Sequence, residues 1–220
     1  MFVFTNTAIT LDGRIGTRQF DHVAIGTRAD RDYMSVLRAR ADAVLVGGRT
    51  FRNWPLPLVP DPAAIARLAA AGFPDTEVPS LEGRTWINAV VTRSLDLPRE
   101  GRFYQDPRVK PLFLSATPGE MPGEVVVAPE VSVPWLIEQL AARGVQRLLV
   151  EAGGDLLFQL IAADVVDELY VTVCPRLLGG RGAPSLLDGD GFGAHTMRGL
   201  ELVHLHRFGD ELYTRYRVSR

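Results

Sequence analysis

The sequence predicts an α/β protein with a mainly parallel sheet, helices on both faces of that sheet and an antiparallel hairpin at the C-terminus. Short apolar runs typical of strands alternate with segments of helical periodicity, which is the pattern of β-α-β units. Residues 200–220 instead hold two alternating runs separated by FGDE, where Gly209 and Asp210 supply turn chemistry. No linker or charge block interrupts residues 1–220, so we predict a single domain.

The N-terminal third provides the first strands and helices. Residues 2–11 alternate and are rich in β-branched side chains, which predicts a strand followed by a turn at 11–13. Residues 28–41 show helical spacing of apolar side chains. Residues 42–48 form a continuous apolar run that ends in two glycines, as expected for a strand covered on both faces. Four prolines between positions 50 and 62 then exclude a long helix.

The rest of the chain continues the alternation. Helices are predicted for 61–73, closed by Gly72, for 133–144, with Pro134 in the first turn and Gly144 as the stop, and for 155–165. Strands are predicted for 84–92, 109–116, 124–129, 145–154 and 167–178, with a loop between the first two. The strands therefore lie in sequence between helices, as a parallel sheet requires.

Composition narrows the class of protein. The formal net charge of −2 provides no field that would favour nucleic acid or an acidic membrane surface. No apolar run approaches the ~20 residues that span a bilayer, and the start lacks the basic region of a signal peptide. Cys174 is the single cysteine, so an intrachain disulfide or a zinc site made of cysteines is excluded. We therefore expect a soluble cytoplasmic protein.

Two predicted strands each end in a pair of glycines, Gly47–Gly48 and Gly153–Gly154. A predicted helix begins directly after each pair. Helix N-termini carry unpaired N–H groups and a partial positive charge, which suits phosphate. Glycine lets a ligand approach the backbone, and ligands of open α/β sheets bind at this edge. Such turns also use glycine for purely structural reasons, but two in one domain favour a phosphate site.

Other short patterns in the sequence do not predict a nucleotide or metal site. DGDGFG at 188–193 follows no strand and opens no clear helix, so it is not a Rossmann fingerprint, and the phosphate-binding P-loop pattern is missing. His204 and His206 lie two apart on one strand face, but a third ligand is lacking, so we predict no metal site.

Five segments taken together resemble one family in their order and spacing: TLDGRIG, LRARADAVLVGGRT, VEAGGDLL, DELYVTVCPRLLGG and the GDGF that follows. The family is the reductase domain of riboflavin biosynthesis, which has a dihydrofolate-reductase-like fold. It includes the C-terminal half of the bifunctional deaminase–reductase and the stand-alone pyrimidine reductases. The resemblance implies a homodimer that uses NADPH to reduce a ribosylamino-pyrimidine 5′-phosphate at the sugar C1.

The resemblance also implies roles for individual residues. Glu151 matches a substrate-contacting glutamate, with a catalytic role, and Arg38 a substrate-binding arginine. The implied cofactor contacts are Gly16, Ile25, Gly47, Thr50, Gly153, Gly154, Asp155, Leu156 and Leu157, together with Arg93 and Ser94 for a 2′-phosphate.

Structural roles are open for four of these side chains. Arg38 could be a solvated helix residue, and Glu151 could cap the following turn. Thr50 could be a helix N-cap, which does not exclude cofactor contact. Arg93 could be an exposed loop residue.

Two departures from the family bear on the substrate. Arg14, the second candidate catalytic residue beside Glu151, stands where the family has lysine; arginine can supply charge but scarcely donates a proton. The two aspartates that follow the first glycine turn in the family, and the arginine after them, are replaced here by a segment that contains Trp54 and prolines, which predicts an apolar wall at this point of the pocket. The leading hypothesis is an NADPH-dependent reductase whose substrate could differ. The alternatives are reduction of another carbonyl, imine or pterin, and nucleotide binding without turnover.

Overall fold

One sheet of nine strands runs through the computed structural model, which describes residues 1–19 and 23–219. The strands are β1 (Phe2–Thr10), β2 (Ala43–Gly47), β3 (Trp86–Thr92), β4 (Val109–Ser115), β5 (Glu124–Val127), β6 (Arg147–Val150), β7 (Glu168–Cys174), β8 (Leu200–Phe208) and β9 (Glu211–Val218). Their order across the sheet is β5-β4-β3-β2-β6-β1-β7-β9-β8. All pairs from β5 to β7 are parallel, whereas β9 runs antiparallel to both β7 and β8. The predicted mixed sheet is confirmed.

Helices cover both faces of this sheet in the described part of the chain. They are α1 (Arg28–Ala39), α2 (Gly48–Asn53), α3 (Pro62–Ala70), α4 (Arg102–Gln105), α5 (Val133–Ala141) and α6 (Gly154–Ala162). Leucines of α5 and α6 share one core with Ala43 and Leu45 of β2. Side chains of α1 and α3 pack on the opposite face with Val44. Strand β2 is therefore buried from both sides, as its unbroken apolar run predicts.

Short-range chemistry explains where the longer helices begin and end. The Thr27 side chain caps α1 by accepting from the Ala29 N–H, and the Ser132 side chain caps α5. Gly72 and Gly144 follow α3 and α5 with φ of +77° and +78°, a conformation that glycine adopts without strain. These helices end two to three residues before the predicted limits, because the last residues of each prediction belong to the turn.

One short helix differs from the sequence prediction. The segment between β3 and β4 was expected to be a loop, but Arg102–Gln105 form the single turn α4. Phe103 of this turn is fully buried and packs edge-on against Phe51 at 4.6 Å between ring centroids. A turn that depends on a contact with a residue 52 positions away leaves no local periodicity. This is why periodicity did not predict it.

Candidate functional site

The two glycine turns lie side by side at one edge of the sheet. Strands β2 and β6 are parallel neighbours, with Leu45 opposite Val150. Gly47 and Gly153 are the N-caps of α2 and α6, both extended and without a side-chain cap. The first N–H groups of both helices therefore point out at the same edge, where they can bind an anion.

Within each pair the two glycines have different surroundings. A Cβ placed on Gly47 or Gly153 would meet nothing within 4 Å. A Cβ on Gly48 would lie 2.6 Å from Thr92 Oγ1, and one on Gly154 would lie 2.5 Å from the Ser185 carbonyl oxygen. The first glycine thus leaves space for a ligand against the backbone, while the second permits close packing inside the protein.

A cleft of about 1180 Å³ opens above these turns. It exceeds the roughly 300–1,000 Å³ of typical small-ligand pockets, so it has room for a long cofactor. Nine of the residues that the resemblance implies line it: Gly16, Gly47, Thr50, Arg93, Ser94, Gly153, Gly154, Asp155 and Leu156. The structure therefore brings together segments that lie up to 140 positions apart.

Two implied cofactor residues have no place in the cleft wall. Ile25 is 5% exposed, and Leu157 is 1% exposed and belongs to the core beneath α6. Leu157 instead supplies the apolar contact that seats α6 on the sheet.

Sequence reasoning assigned no role to several residues that line the cleft. Arg49 and Arg52 of α2 line the cleft together with Arg93, so three arginine side chains make this part of the cleft positively charged. Arg52 donates from Nε and Nη2 to the Asp96 carbonyl oxygen, at 3.0 and 2.8 Å. The cleft is also lined by Asp188, Gly189 and Asp190. The DGDGFG segment that contains them forms no helix, which agrees with the prediction that it is not a Rossmann fingerprint. The signal for Arg49 was its position directly after a glycine pair.

The wall near Trp54 is mixed rather than apolar. Trp54 lines the cleft, but so do its neighbours Arg52 and Asn53. The prediction of an apolar wall is correct only for the tryptophan.

Arg38 and Glu151 contact each other. Arg38 Nε donates to Glu151 Oε1 and Nη2 donates to Oε2, both at 2.7 Å. The side chains are 15% and 9% exposed, so Arg38 is not a solvated helix residue. Gly153 receives no side-chain cap, so Glu151 does not cap α6. A bidentate, charge-assisted pair fixes both groups in one geometry. Neither side chain lines the cleft.

Arg14 is held away from the cleft by the chain after β7. Its Nη1 donates to the Ala183 carbonyl oxygen at 2.8 Å, and its backbone bridges Ser185. Its Nε is buried and makes no hydrogen bond within the described part of the chain. Arg14 does not line the cleft.

Asp30 is a buried acid that the sequence analysis did not single out. It is 6% exposed in the first turn of α1. Burial raises its pKa to about 6; a hydrogen bond from Thr172 opposes this shift, while the charges of Glu211 and Glu151 add to it. An acid in a first helical turn is ordinary in sequence, and only its burial beside other carboxylates marks it.

The two histidines of β8 are adjacent in space but lack further metal-binding side chains around them in the described part of the chain. His204 and His206 pair with Arg215 and Tyr213, two positions apart, and so share one face of the hairpin as predicted. Among the described residues no three His, Cys, Asp or Glu side chains converge to hold a metal ion; His22 lies outside those residues. None of the described helices is long and apolar enough to cross a membrane.

Sequence comparison identifies relatives along the whole chain. The family described as RibD C-terminal domain matches residues 1–214. The chain is 31% identical to the 2,5-diamino-6-ribosylamino-4(3H)-pyrimidinone 5′-phosphate reductase of Methanothermobacter thermautotrophicus, over 99% of this chain and 98% of that protein. It is 29% identical to the protein of the same name from Archaeoglobus fulgidus, over 100% of this chain and 99% of that protein.

Solved structures confirm the fold. A pyrimidine reductase-like protein from Corynebacterium diphtheriae superposes with a TM-score of 0.76 at 21% identity, over 100% of this chain and 92% of that one. Acinetobacter baumannii RibD superposes with a TM-score of 0.76 at 19% identity; 99% of this chain is covered, and it spans 58% of the RibD chain. The fold is therefore the dihydrofolate-reductase-like fold of RibD reductase domains, as predicted.

Proposed function

The chain belongs to the RibD C-terminal domain family and is accordingly an oxidoreductase; we propose that it uses NADPH to reduce a ribosylamino-pyrimidine 5′-phosphate. The observation that carries this proposal is the pair of open helix N-termini at adjacent strand ends beside the cleft. Gly153 of the cleft lining comes two positions after Glu151 of the buried arginine–glutamate pair. We also propose that residues 1–220 act as one reductase domain, because one sheet runs through the described residues, and that the enzyme works in the cytoplasm.

The cleft fits a phosphorylated dinucleotide cofactor. The open space at Gly153 and the N–H groups of α6 suit a pyrophosphate, and Gly47 with Thr50 suits a second contact on α2. Arg93 and Ser94 are proposed to bind the 2′-phosphate that distinguishes NADPH from NADH, because arginine offers a bidentate, charge-assisted contact. Three arginines at the cleft support this preference.

The bound cofactor supplies a hydride, and the protein supplies position and protons. Reduction of an opened imine adds hydride at the sugar C1 and a proton at the nitrogen. We propose that Glu151 orients the substrate or relays that proton, and that Arg38 binds an anionic or carbonyl group of the substrate. Their mutual pairing places both groups in a fixed geometry before substrate arrives, which favours reaction through orientation.

Titration with NADPH and with NADH, followed by nicotinamide fluorescence, tests the cofactor. We expect NADPH to bind more tightly than NADH, and expect Arg93→Ala to reduce that difference while NADH binding stays unchanged. Absence of NADPH binding at millimolar concentration would overturn the proposal. Turnover is then measured with the ribosylamino-pyrimidine 5′-phosphate named for the relatives; binding without turnover would favour the non-catalytic alternative.

Reduction of a pterin-type ring is a second candidate, and Asp30 is the observation that favours it. The first strand carries no acid that could pair with such a ring. The structure supplies a buried acid from α1 instead, close enough to Glu151 for the charge of Glu151 to raise its pKa. Reduction of a dihydropterin that is lost in Asp30→Asn, with pyrimidine reduction unaffected, would support this candidate.

We further propose a homodimer. A β-bulge between Leu202 and His204 puts Leu200, Leu202 and Leu205 on one face of the hairpin, although their spacing is uneven. With Leu212 they form an apolar strip whose members are 39–54% exposed. Exposed apolar patches of this kind mark association surfaces. Sedimentation should show a dimer that Leu202→Asp converts to monomer; a monomeric wild-type chain would contradict the proposal.

A further inference from the structure

Two segments that leave neighbouring strands are tied together by one carboxylate. The turn after β1 and the segment after β7 follow parallel, paired strands. Asp12 Oδ1 accepts from the Thr10 hydroxyl at 2.7 Å and from the Leu178 N–H at 3.0 Å, and Oδ2 accepts from the Gly179 N–H at 2.7 Å. Two of these three bonds cross more than 160 positions of sequence, so Asp12 does more than close its own turn.

The Asp12 carboxylate is ionised at neutral pH. The Thr10 hydroxyl, with the N–H groups of Leu178 and Gly179, lowers the pKa of Asp12 to about 2. Charge-assisted hydrogen bonds to a carboxylate are stronger than bonds between neutral groups. Gly179 and Gly180 follow with φ of +65° and +90°, so the segment turns where Asp12 holds it.

The joined segments build one wall of the cleft. The Ile15 N–H donates to the Pro184 carbonyl oxygen at 3.0 Å, and a Cβ on Gly16 would lie 3.3 Å from Pro184 Cγ. Ile15, Gly16 and Pro184 all line the cleft, whereas Asp12 itself does not.

The same wall reaches the start of α6. The Ser185 hydroxyl donates to Asp188 Oδ1 at 2.7 Å, and the Ser185 carbonyl oxygen and Asp188 pack closely on Gly154. The position of the segment after β7 therefore sets the distance between the wall and the N-terminus of α6.

We propose that Asp12 is a positioning residue that latches the turn after β1 to residues 178–179 and thereby sets the width of the cleft where the cofactor binds. This inference rests on the proposed function. Asp12 touches neither substrate nor cofactor and acts through Gly16 and Pro184. Loss of the latch should widen the cleft and weaken cofactor binding more than it slows the chemical step.

The test uses Asp12→Asn and Asp12→Ala in the full chain. Asparagine keeps the shape but loses the charge and one acceptor, so the Gly179 N–H loses its partner. We expect the Kd for NADPH to rise about tenfold in Asp12→Asn and further in Asp12→Ala, because a charge-assisted hydrogen bond that holds the wall is lost. Turnover at saturating NADPH should change less than about twofold. Hydrogen exchange should accelerate within 10–16 and 176–188 and nowhere else.

Asp106→Asn is the matched control. Asp106 accepts from Arg108 Nε and Nη2 at 3.0 and 2.7 Å, just before β4 and therefore at the opposite edge of the sheet. The Asp106→Asn substitution removes a comparable carboxylate and should leave the Kd for NADPH unchanged.

Unchanged NADPH affinity in Asp12→Asn, or an equal loss in Asp106→Asn, would overturn the positioning role. If the wild-type chain binds no NADPH, the proposed function fails instead. The exchange experiment still decides on the latch in that case, since unchanged exchange at 176–188 would remove it.

Discussion

Arg38 and Glu151 show what the structure adds at the scale of single residues. The resemblance implied a substrate role for each, but not that they form one bidentate pair across 113 positions. A substitution at either residue also affects the other, because it leaves that side chain buried without its counter-charge. Variants at either position must therefore be judged by cofactor binding and fold as well as by turnover.

Glu151→Gln keeps the shape of the side chain and removes its charge. We expect kcat to fall about 100-fold, within the range of a lost proton-transfer group, while the Kd for NADPH stays within about twofold. Glu151 does not line the cleft, which is why binding should be spared. Steady-state kinetics and fluorescence titration measure the two quantities. Unchanged turnover would remove Glu151 from the mechanism.

Asp30→Asn should stabilise the protein in a pH-dependent way. Burial raises the pKa of Asp30 from 3.8 to about 6, and Thr172, Glu211, Arg31 and Glu151 are the other groups that act on it. A raised folded-state pKa means that stability is lost as pH rises from about 4 through 6. This loss is on the order of 2–3 kcal/mol.

Asparagine carries no such cost. The stability of Asp30→Asn relative to wild type should therefore increase between pH 4 and pH 7.5, and level off above that. Urea unfolding of both proteins at each pH measures the difference, in which acids common to both cancel. A pH-independent difference would show that Asp30 titrates normally.

At the scale of elements, the two glycines of the second turn separate binding from folding. Gly153 has φ of −73° and open space around it, so alanine should fold without strain but occupy the space proposed for a phosphate. Gly153→Ala should raise the Kd for NADPH at least about tenfold with an unchanged Tm.

Gly154→Ala should instead lower the Tm and leave the Kd for NADPH nearly unchanged. Its Cβ would lie 2.5 Å from the Ser185 carbonyl oxygen, and the resulting shift should cost about 2 kcal/mol of stability. Thermal unfolding and cofactor titration of both variants decide the matter. Equal effects on both readouts would mean that the turn is structural only.

Across the whole molecule, the sequence was sufficient for features with a local signature. Unbroken apolar runs predicted the central strands, the spacing of apolar side chains predicted α1, and Gly72 and Gly144 predicted where α3 and α5 stop. Features that depend on long-range contacts were missed, because their energy comes from tertiary neighbours. Helix α4 forms against Phe51, Asp30 acquires its pKa from burial, and Asp12 bonds to residues beyond β7. The resemblance identified the cleft residues but not which of them face inward.

Glu211 joins the end of the chain to its beginning. This residue is 1% exposed; it accepts from the Thr27 N–H at 2.6 Å, from the Thr27 hydroxyl at 2.7 Å and from the Tyr213 hydroxyl at 2.6 Å. The contact fixes the C-terminal hairpin to the N-cap of α1.

Glu211→Ala would leave these donors buried without an acceptor, which should cost about 3 kcal/mol of unfolding free energy. Part of that cost is offset through Asp30, because the charge of Glu211 raises the pKa of that residue. Removing Glu211 lowers this pKa, so Asp30 ionises in the folded state at a smaller cost. Glu201→Ala, on the same hairpin, is the control: Glu201 is exposed and paired with Arg217 at 2.9 Å, and such pairs contribute about 0–1 kcal/mol. Urea denaturation measures both variants. Equal, small losses would show that the hairpin folds without its link to α1. A large loss in Glu211→Ala alone would show that the first helix and the last strands unfold together.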